Sequence, residues 1–148
     1  MQNVLLFIPN IERGGIEKNL VILSNYFFKK NYNIEIICGK ISPEIKNKIN
    51  KKIILIISKK FIKTAFLSNR LINTINCFLY LLISYKFKKK QLILSFQDHP
   101  FSILISKLKK IPCVLRIANH PLGSLKYFNN NLIFFIKINI KKIFYFFA

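Results

Sequence analysis

The sequence predicts an α/β fold, a Rossmann-like doubly wound parallel sheet in one domain. Apolar runs of strand length alternate along the chain with segments whose apolar residues recur at helical spacing. The strand-length runs are apolar on both faces, as in a parallel sheet that helices cover on each side. A chain of 148 residues, 52% of them hydrophobic, has the size and composition of a single domain with its own core.

Five segments have the length and composition of buried strands. The first ends at Pro9, the second is closed by Gly39, and the last is introduced by Pro112. The predicted strands are 3–8, 33–38, 52–58, 92–96 and 113–118.

Helical periodicity separates these strands. After Gly15, apolar residues recur at Ile16, Leu20, Leu23 and Phe27, and Lys29 suits the carboxyl end of a helix. Further helices are predicted over 60–86, 100–110 and 124–148, the second with Pro100 in its first turn.

The chain is strongly basic, with 25 Lys and Arg against five Asp and Glu, a formal net charge of +20. Such a surface attracts nucleic acid, anionic lipid or phosphorylated substrates. Lys, Ile, Asn and Phe are all abundant, however, as in a coding sequence rich in A and T. The charge is therefore compatible with a functional partner or with coding bias alone.

Cys38, Cys77 and Cys113 are widely spaced within apolar runs and form no CxxC or Cys/His ligand pattern. They are predicted to be reduced core residues of a cytoplasmic protein, and no metal site is predicted. The longest uncharged run that could be considered as a membrane-spanning helix is 71–85. It has 15 residues, fewer than the about 20 that such a helix needs. No secretory signal is predicted, because the first apolar run is short and lacks a basic region before it.

Gly14 and Gly15 lie side by side between the first predicted strand and the first predicted helix. Ligands of parallel α/β sheets bind at the carboxyl ends of the strands, and glycine lets a ligand approach the backbone amides. The helix that follows then presents free N–H groups to an anion such as phosphate. The pair fits neither the GxGxxG nor the GxxxxGK[ST] pattern, so a tight turn without a ligand is the alternative.

Two segments resemble the N-terminal domain of family-4 retaining glycosyltransferases of the GT-B fold. Residues 4–40 contain its first strand, its Gly-Gly-x-Glu element at Gly14, Gly15 and Glu17, and its second strand. Residues 91–121 are similar to its fourth strand, the next helix, and a strand with Arg, Asn or His near its end. The two segments cover 68 residues, and the stretch between them matches only in its strand and helix pattern.

The resemblance implies transfer of a hexosyl unit from a nucleotide sugar to a glycan or a lipid-linked acceptor, without a metal or other cofactor. It also implies a second Rossmann-like domain that grips the donor, and the 148 residues have no counterpart of it. We therefore expect an acceptor-side half, truncated or working with a separately encoded C-terminal partner, and inactive alone. The sugar, the acceptor and the linkage are not predicted.

The residues predicted to bind substrate or donor phosphate flank the carboxyl ends of the strands. They are Arg13, Gly14, Gly15, Asp98, His99, Arg116, Asn119 and His120. No catalytic residue is assigned, because in retaining enzymes of this kind the leaving diphosphate is thought to assist. Helix capping is the favoured alternative for Glu17 and Asp98, a solvated surface arginine for Arg13, and a loop without a ligand for His120.

The cluster 86–90 and the Lys- and Phe-rich segment 124–148 also predict peripheral attachment to an anionic, cytoplasmic membrane face. Packing against a sheet or a second domain is the alternative for these apolar residues.

Two other functions compete with sugar transfer. A binding module for nucleic acid would use the +20 charge but lacks an RNP-like motif, so no nucleic-acid partner is predicted. A stand-alone nucleotide-binding regulator is disfavoured by the glycine pattern.

Overall fold

The structure, a computed structural model, describes residues 2–11, 14–62, 64 and 66–116. The strands are β1 (Asn3–Phe7), β2 (Asn10–Ile11), β3 (Asn33–Cys38), β4 (Lys40–Ile41), β5 (Ile54–Ile57), β6 (Gln91–Ser95) and β7 (Cys113–Leu115). The helices are α1 (Gly15–Lys29), α2 (Pro43–Lys48), α3 (Asn69–Leu79) and α4 (His99–Lys109), with a π-helical segment (Tyr80–Ser84) directly after α3.

Five strands form one parallel sheet in the order β5-β3-β1-β6-β7. The chain starts at the centre, builds outward to β5, and then returns past β1 to add β6 and β7. The order of connection therefore reverses between β1 and β6, which is where sheets of this class bind ligands. A Rossmann-like parallel sheet is confirmed.

Side chains of β1 alternate between two buried faces of the sheet. Leu6 packs in one core cluster with Leu20 of α1 and Ile45 of α2. Leu5 and Phe7 pack in the other with Cys77 of α3 and Ile105 of α4. The predicted cover of helices on both faces is thus confirmed, and we call the two sides the α1 face and the α4 face.

The strands β1 and β3 continue beyond the main sheet as a small ribbon that sequence periodicity did not predict. The N–H of Ile8 donates to the carbonyl of Ile37 at 3.2 Å, and that of Gly39 donates to the carbonyl of Pro9 at 2.8 Å. β2 then pairs with β4 in parallel. At the carboxyl edge, the chain after β1 and β3 therefore extends beyond the ends of the other strands.

The predicted helix over 60–86 is wrong at its amino end. Ser68 caps α3 by accepting a hydrogen bond from the N–H of Leu71, 3.4 Å away. Upstream, Asn76 Oδ1 accepts from the backbone N–H groups of Phe61 and Ile62 at 2.9 and 2.8 Å. Residues 61 and 62 are thereby held against α3 and are not helical.

The predicted strand 33–38 agrees with β3 at both ends, and the other predicted boundaries differ from the observed ones by at most three residues among the described residues. The predicted strand 52–58 begins only at Ile54, and α2 was not predicted because one and a half turns carry too little periodicity. The predicted helix 124–148 and the end of the strand 113–118 lie outside the described residues.

A buried carboxylate fastens the basic segment after the π-helical turn to the amino end of the sheet. Glu35 of β3, 5% exposed, accepts hydrogen bonds from the Tyr85 hydroxyl and from Lys88 Nζ. Gln91 Nε2 in turn donates to the Tyr85 oxygen at 2.6 Å. Burial, together with the Glu35 hydrogen bond, raises the pKa of Tyr85 above its usual range. The phenol therefore stays neutral and keeps donating to Glu35.

We predict that Gly39→Ala destabilises the fold by about 1–3 kcal/mol, the usual cost of overpacking. A Cβ at Gly39 would lie 2.7 Å from Asn73 Cβ and 3.1 Å from Asn73 Cα, so α3 would have to move. Urea unfolding measures the change. Gly15→Ala is the matched control, since a Cβ there meets nothing within 4 Å. Equal stability of the two variants would contradict the close packing of α3 on β3.

Candidate functional site

The glycine pair lies at the carboxyl edge, where α1 begins. Both glycines are exposed, and Gly14 is extended with φ 173°, so neither has a backbone conformation that requires glycine. A Cβ at Gly14 would approach Glu17 Oε2 to 2.7 Å, the movable end of a side chain, and at Gly15 it would meet open space. Neither the backbone conformation nor the packing of the described residues therefore requires a glycine at position 15. Its absence of a side chain leaves the first turn of a 15-residue helix bare.

Glu17 occupies the inner side of this helix end. It is 7% exposed and lies in the first turn of α1, with its carboxylate over Gly14. The helix dipole favours a negative charge at this position, and the capping role of Glu17 stays a prediction. The side of the turn at Gly15 remains open.

Asp98 stands at the N-cap position of α4 but does not cap it through its side chain. Its backbone is left-handed, with φ 50°, and its Oδ2 accepts a hydrogen bond from Thr74 Oγ1 of α3 at 2.8 Å. The favoured prediction of a capping carboxylate is wrong, because the left-handed turn directs Asp98 to α3. The side chain instead ties the start of α4 to the middle of α3.

His99, the first residue of α4, is held by the strand before it. Its Nδ1 lies 3.0 Å from the hydroxyl of Ser95, which donates to the carbonyl of Gln97 at 3.1 Å. Which of these two atoms donates depends on the tautomer of the imidazole. The orientation of His99 is therefore fixed by β6.

Two buried polar atoms at the ends of β6 and β7 have no partner among the described residues. Arg116 lies with its guanidinium 5.5 Å from the ring centre of Phe96, and its Nη1 is buried and unpaired. Gln97 is 8% exposed, and its Oε1 is likewise unpaired. Each such atom costs about 1–3 kcal/mol unless something bonds to it. Phe96 belongs to the core cluster of α1, so Arg116 lies on the same face as α1.

A cleft of about 720 Å³ opens on the other side of β1, over the ends of β3 and β5. Its polar lining combines two lysines, Lys40 and Lys60, with the asparagines of α3. None of the described residues that line it is acidic. These are Gly39, Lys40, Lys60, Ile62, Thr64, Asn69, Ile72, Asn73 and Asn76.

Hydrogen bonds hold the walls of this cleft in place. Asn73 Nδ2 donates to Asn10 Oδ1 at 2.8 Å, and Asn10 Nδ2 donates to the carbonyl of Arg70 at 3.2 Å. Sequence reasoning missed this cleft, although Lys40 and Lys60 each come shortly after a predicted strand. Their position at the carboxyl ends of β3 and β5 was the signal that could have found them.

The structure brings five of the eight predicted binding residues to the carboxyl edge: Gly14, Gly15, Asp98, His99 and Arg116. Arg13, Asn119 and His120 lie outside the described residues, so these remain predictions. Within the part of the chain that is described, no cluster of three or more His, Cys, Asp or Glu side chains could hold a metal ion. No helix of that part is long and apolar enough to cross a membrane.

All three cysteines are free thiols, as expected. Burial raises the pKa of Cys38 to about 12, and a neighbouring Cys77 adds to the effect. Burial also raises the pKa of Cys77 to about 12, although a hydrogen bond with Ser58 opposes it. The half-buried Cys113 has a raised pKa for the same reason. These thiols pack into the core and are poor nucleophiles.

No protein-family profile, curated protein or solved structure matches the chain. The resemblance to glycosyltransferases accordingly remains a prediction from the sequence.

We predict that Thr74→Val lowers the free energy of unfolding by about 1–3 kcal/mol, because it removes the hydrogen bond to the Asp98 carboxylate. Valine keeps the shape of threonine in a site that is only 1% exposed. Thr74→Ser retains the hydroxyl and is expected to lose less. A serine variant as unstable as the valine variant would show that the methyl group, and not the hydrogen bond, matters.

We also predict that iodoacetamide at pH 8 leaves Cys38 and Cys77 of the folded protein unmodified. With pKa values near 12, only about 10⁻⁴ of each thiol is ionised at that pH, and only the thiolate reacts. In urea all three cysteines should react, and intact mass counts the adducts. Rapid modification of Cys38 without urea would contradict its burial.

Proposed function

We propose that this protein is the acceptor-side domain of a retaining glycosyltransferase that moves a hexosyl unit from a nucleotide sugar to a glycan or a lipid-linked acceptor. The observation that carries the proposal is the open first turn of α1 at Gly15. It lies at the point where the connection of strands reverses, and nothing in the packing of the described residues demands a glycine there.

An anion subsite at this edge is supported by two independent features. The free N–H groups of α1 and the positive end of its dipole favour a phosphate that approaches on the Gly15 side, away from the Glu17 carboxylate. Arg116 adds a guanidinium on the same face, with a buried N–H that lacks an acceptor among the described residues. A diphosphate oxygen is the kind of acceptor that satisfies it.

The acceptor would enter from the cleft beside this subsite. Amide groups of Asn69 and Asn73 suit the hydroxyls of a sugar, while Lys40 and Lys60 suit a charged group on the same molecule. Because Asn10 and Asn73 are bonded to each other, the cleft wall is fixed relative to the end of β1. Acceptor and donor phosphate would then meet over the carboxyl ends of β1 and β3.

In this reaction the acceptor-side domain needs only to bind the substrates and to stabilise the developing charge. The bond between the anomeric carbon and the diphosphate oxygen breaks, the acceptor oxygen forms a new bond to that carbon, and the acceptor proton passes to the departing diphosphate. Positive groups at the diphosphate stabilise the charge that develops as it leaves. The proposal includes a second domain that holds the nucleotide, and we expect these 148 residues to show no turnover without it.

We predict that the purified chain binds nucleoside diphosphate sugars and inorganic pyrophosphate, but not the corresponding nucleosides. Amide chemical shifts of the ¹⁵N-labelled protein report the binding, and residues 14–16 and 96–98 should move. Arg116→Met is expected to weaken pyrophosphate binding about tenfold or more, since a hydrogen bond to a charged group contributes about 1.5–3 kcal/mol. Gly15→Ala should also weaken it, because the added Cβ occupies the open space through which the phosphate approaches the first turn.

Each variant has a control. Gly15→Ala should fold as stably as the parent, so lost binding cannot be blamed on unfolding. Lys29→Met removes a cation at the far end of α1 and should leave binding unchanged. The proposal fails if nucleosides bind as well as their diphosphate sugars, or if Lys29→Met weakens binding as much as Arg116→Met. Binding that gains nothing from the hexosyl group would favour a nucleotide-binding regulator instead.

A further inference from the structure

The outer surface of α4 carries exposed aliphatic side chains that no other described part of the chain covers. Leu104 and Leu108 are 39% and 56% exposed, one helical turn apart, and Lys107 lies between them on the same side of the helix. The inner residues Ile103 and Ile105 are buried, whereas neither of the outer leucines belongs to a core cluster.

The π-helical segment extends this apolar surface. Lys109 Nζ donates to the carbonyl of Leu82 at 2.9 Å, which joins the end of α4 to the segment. The next residue, Ile83, is 66% exposed. We call Ile83, Leu104, Lys107, Leu108, Lys109 and Lys110 the α4 outer surface.

Positive charge surrounds these aliphatic residues. Neither α4 nor the π-helical segment contains an acidic residue. Lys110 also lines a second cleft, of about 770 Å³, together with Lys88 and Lys90 at the amino edge of the sheet. Apart from Lys88, which pairs with Glu35, the lysines named here have no carboxylate partner among the described residues. The surface is thus apolar along α4 and cationic at its end.

We propose that the α4 outer surface docks on an anionic phospholipid membrane. Leu104, Leu108 and Ile83 would enter the boundary between headgroups and acyl chains, and the lysines would contact lipid phosphates. Each lysine near such a surface contributes about 1 kcal/mol, and burial of aliphatic area adds to it. The inference is independent of the proposed sugar transfer, because it uses none of the residues of the carboxyl edge.

The aliphatic residues distinguish a membrane from a nucleic acid as the partner. A nucleic acid would use the lysines but would gain nothing from Ile83, Leu104 and Leu108, since it stacks on aromatic side chains or on arginine. None of the exposed residues of the α4 outer surface is aromatic or arginine. Charge and apolar character together therefore fit lipid.

The chain contains no tryptophan, so a single introduced one is a clean probe of contact. Leu108→Trp places the probe on the α4 outer surface, and Ile22→Trp places it at an equally exposed position of α1, 63% exposed in the parent. The full chain is mixed with phosphatidylcholine vesicles with or without about one third phosphatidylglycerol. We expect the emission of the Leu108→Trp variant to shift to the blue with the anionic vesicles alone, and that of the Ile22→Trp variant to stay unchanged.

Vesicle flotation then tests the charges. Lys107→Gln with Lys110→Gln should weaken binding to anionic vesicles at least about tenfold. The matched pair Lys46→Gln with Lys48→Gln, on α2, should leave binding within about twofold, and circular dichroism checks that all variants fold.

Four results would overturn the proposal. The first is an equal blue shift of the Ile22→Trp and Leu108→Trp variants, and the second is an equal loss of binding from both lysine pairs. The third is binding to neutral vesicles as tight as to anionic ones. The fourth is displacement of the protein by single-stranded RNA while the tryptophan of the Leu108→Trp variant reports no lipid contact.

Discussion

The pairing of β1 with a parallel strand on each side is the constraint from which the rest of the structure follows. β1 bonds to β3 and to β6, and its residues Leu5, Leu6 and Phe7 are fully buried. Both faces of the sheet must therefore be covered. Each connection between parallel strands must also return from the carboxyl ends of the strands to their amino ends. The segments after β1 and β6 consequently meet at one edge, which is why a glycine turn and a histidine far apart in sequence share a surface.

Local patterns were enough to predict the strands and the first and fourth helices, because each shows its own periodicity and bounding residues. They failed where one segment depends on a distant one. Asn76 bonds to the backbone of residues 61 and 62, which no helical pattern reveals. The ribbon of β2 and β4 forms because the chain continues the pairing of β1 with β3 beyond the main sheet. The location of the glycine pair at the carboxyl edge could be predicted from its place between a strand and a helix. The cleft at Lys40 and Lys60 could not, because residues of α3 form its other wall.

Acidic side chains are few, and three of the four described ones lie at buried or structural positions of the fold. Glu35 bonds to Tyr85 and Lys88, Asp98 bonds to Thr74, and Glu17 lies at the end of α1. Most of the described lysines are thereby left to face solvent without a carboxylate partner. Whatever the origin of the basic composition, the described carboxylates mostly form contacts within the fold, while the ammonium groups of the lysines face solvent.

None of the left-handed corners in the described part of this protein is formed by glycine. The left-handed positions among the described residues belong to Asn31, Lys90, Asp98 and Lys110, with φ between 50° and 61°, while none of the described glycines has a positive φ. Left-handed backbone costs a non-glycine residue about 1 kcal/mol, so these corners together oppose folding by a few kcal/mol. Glycine at Asn31, Lys90 or Lys110 would relieve this strain at the cost of a more flexible unfolded chain. Glycine at Asp98 would in addition remove the hydrogen bond that joins α4 to α3, so there the strained backbone is tied to a tertiary contact.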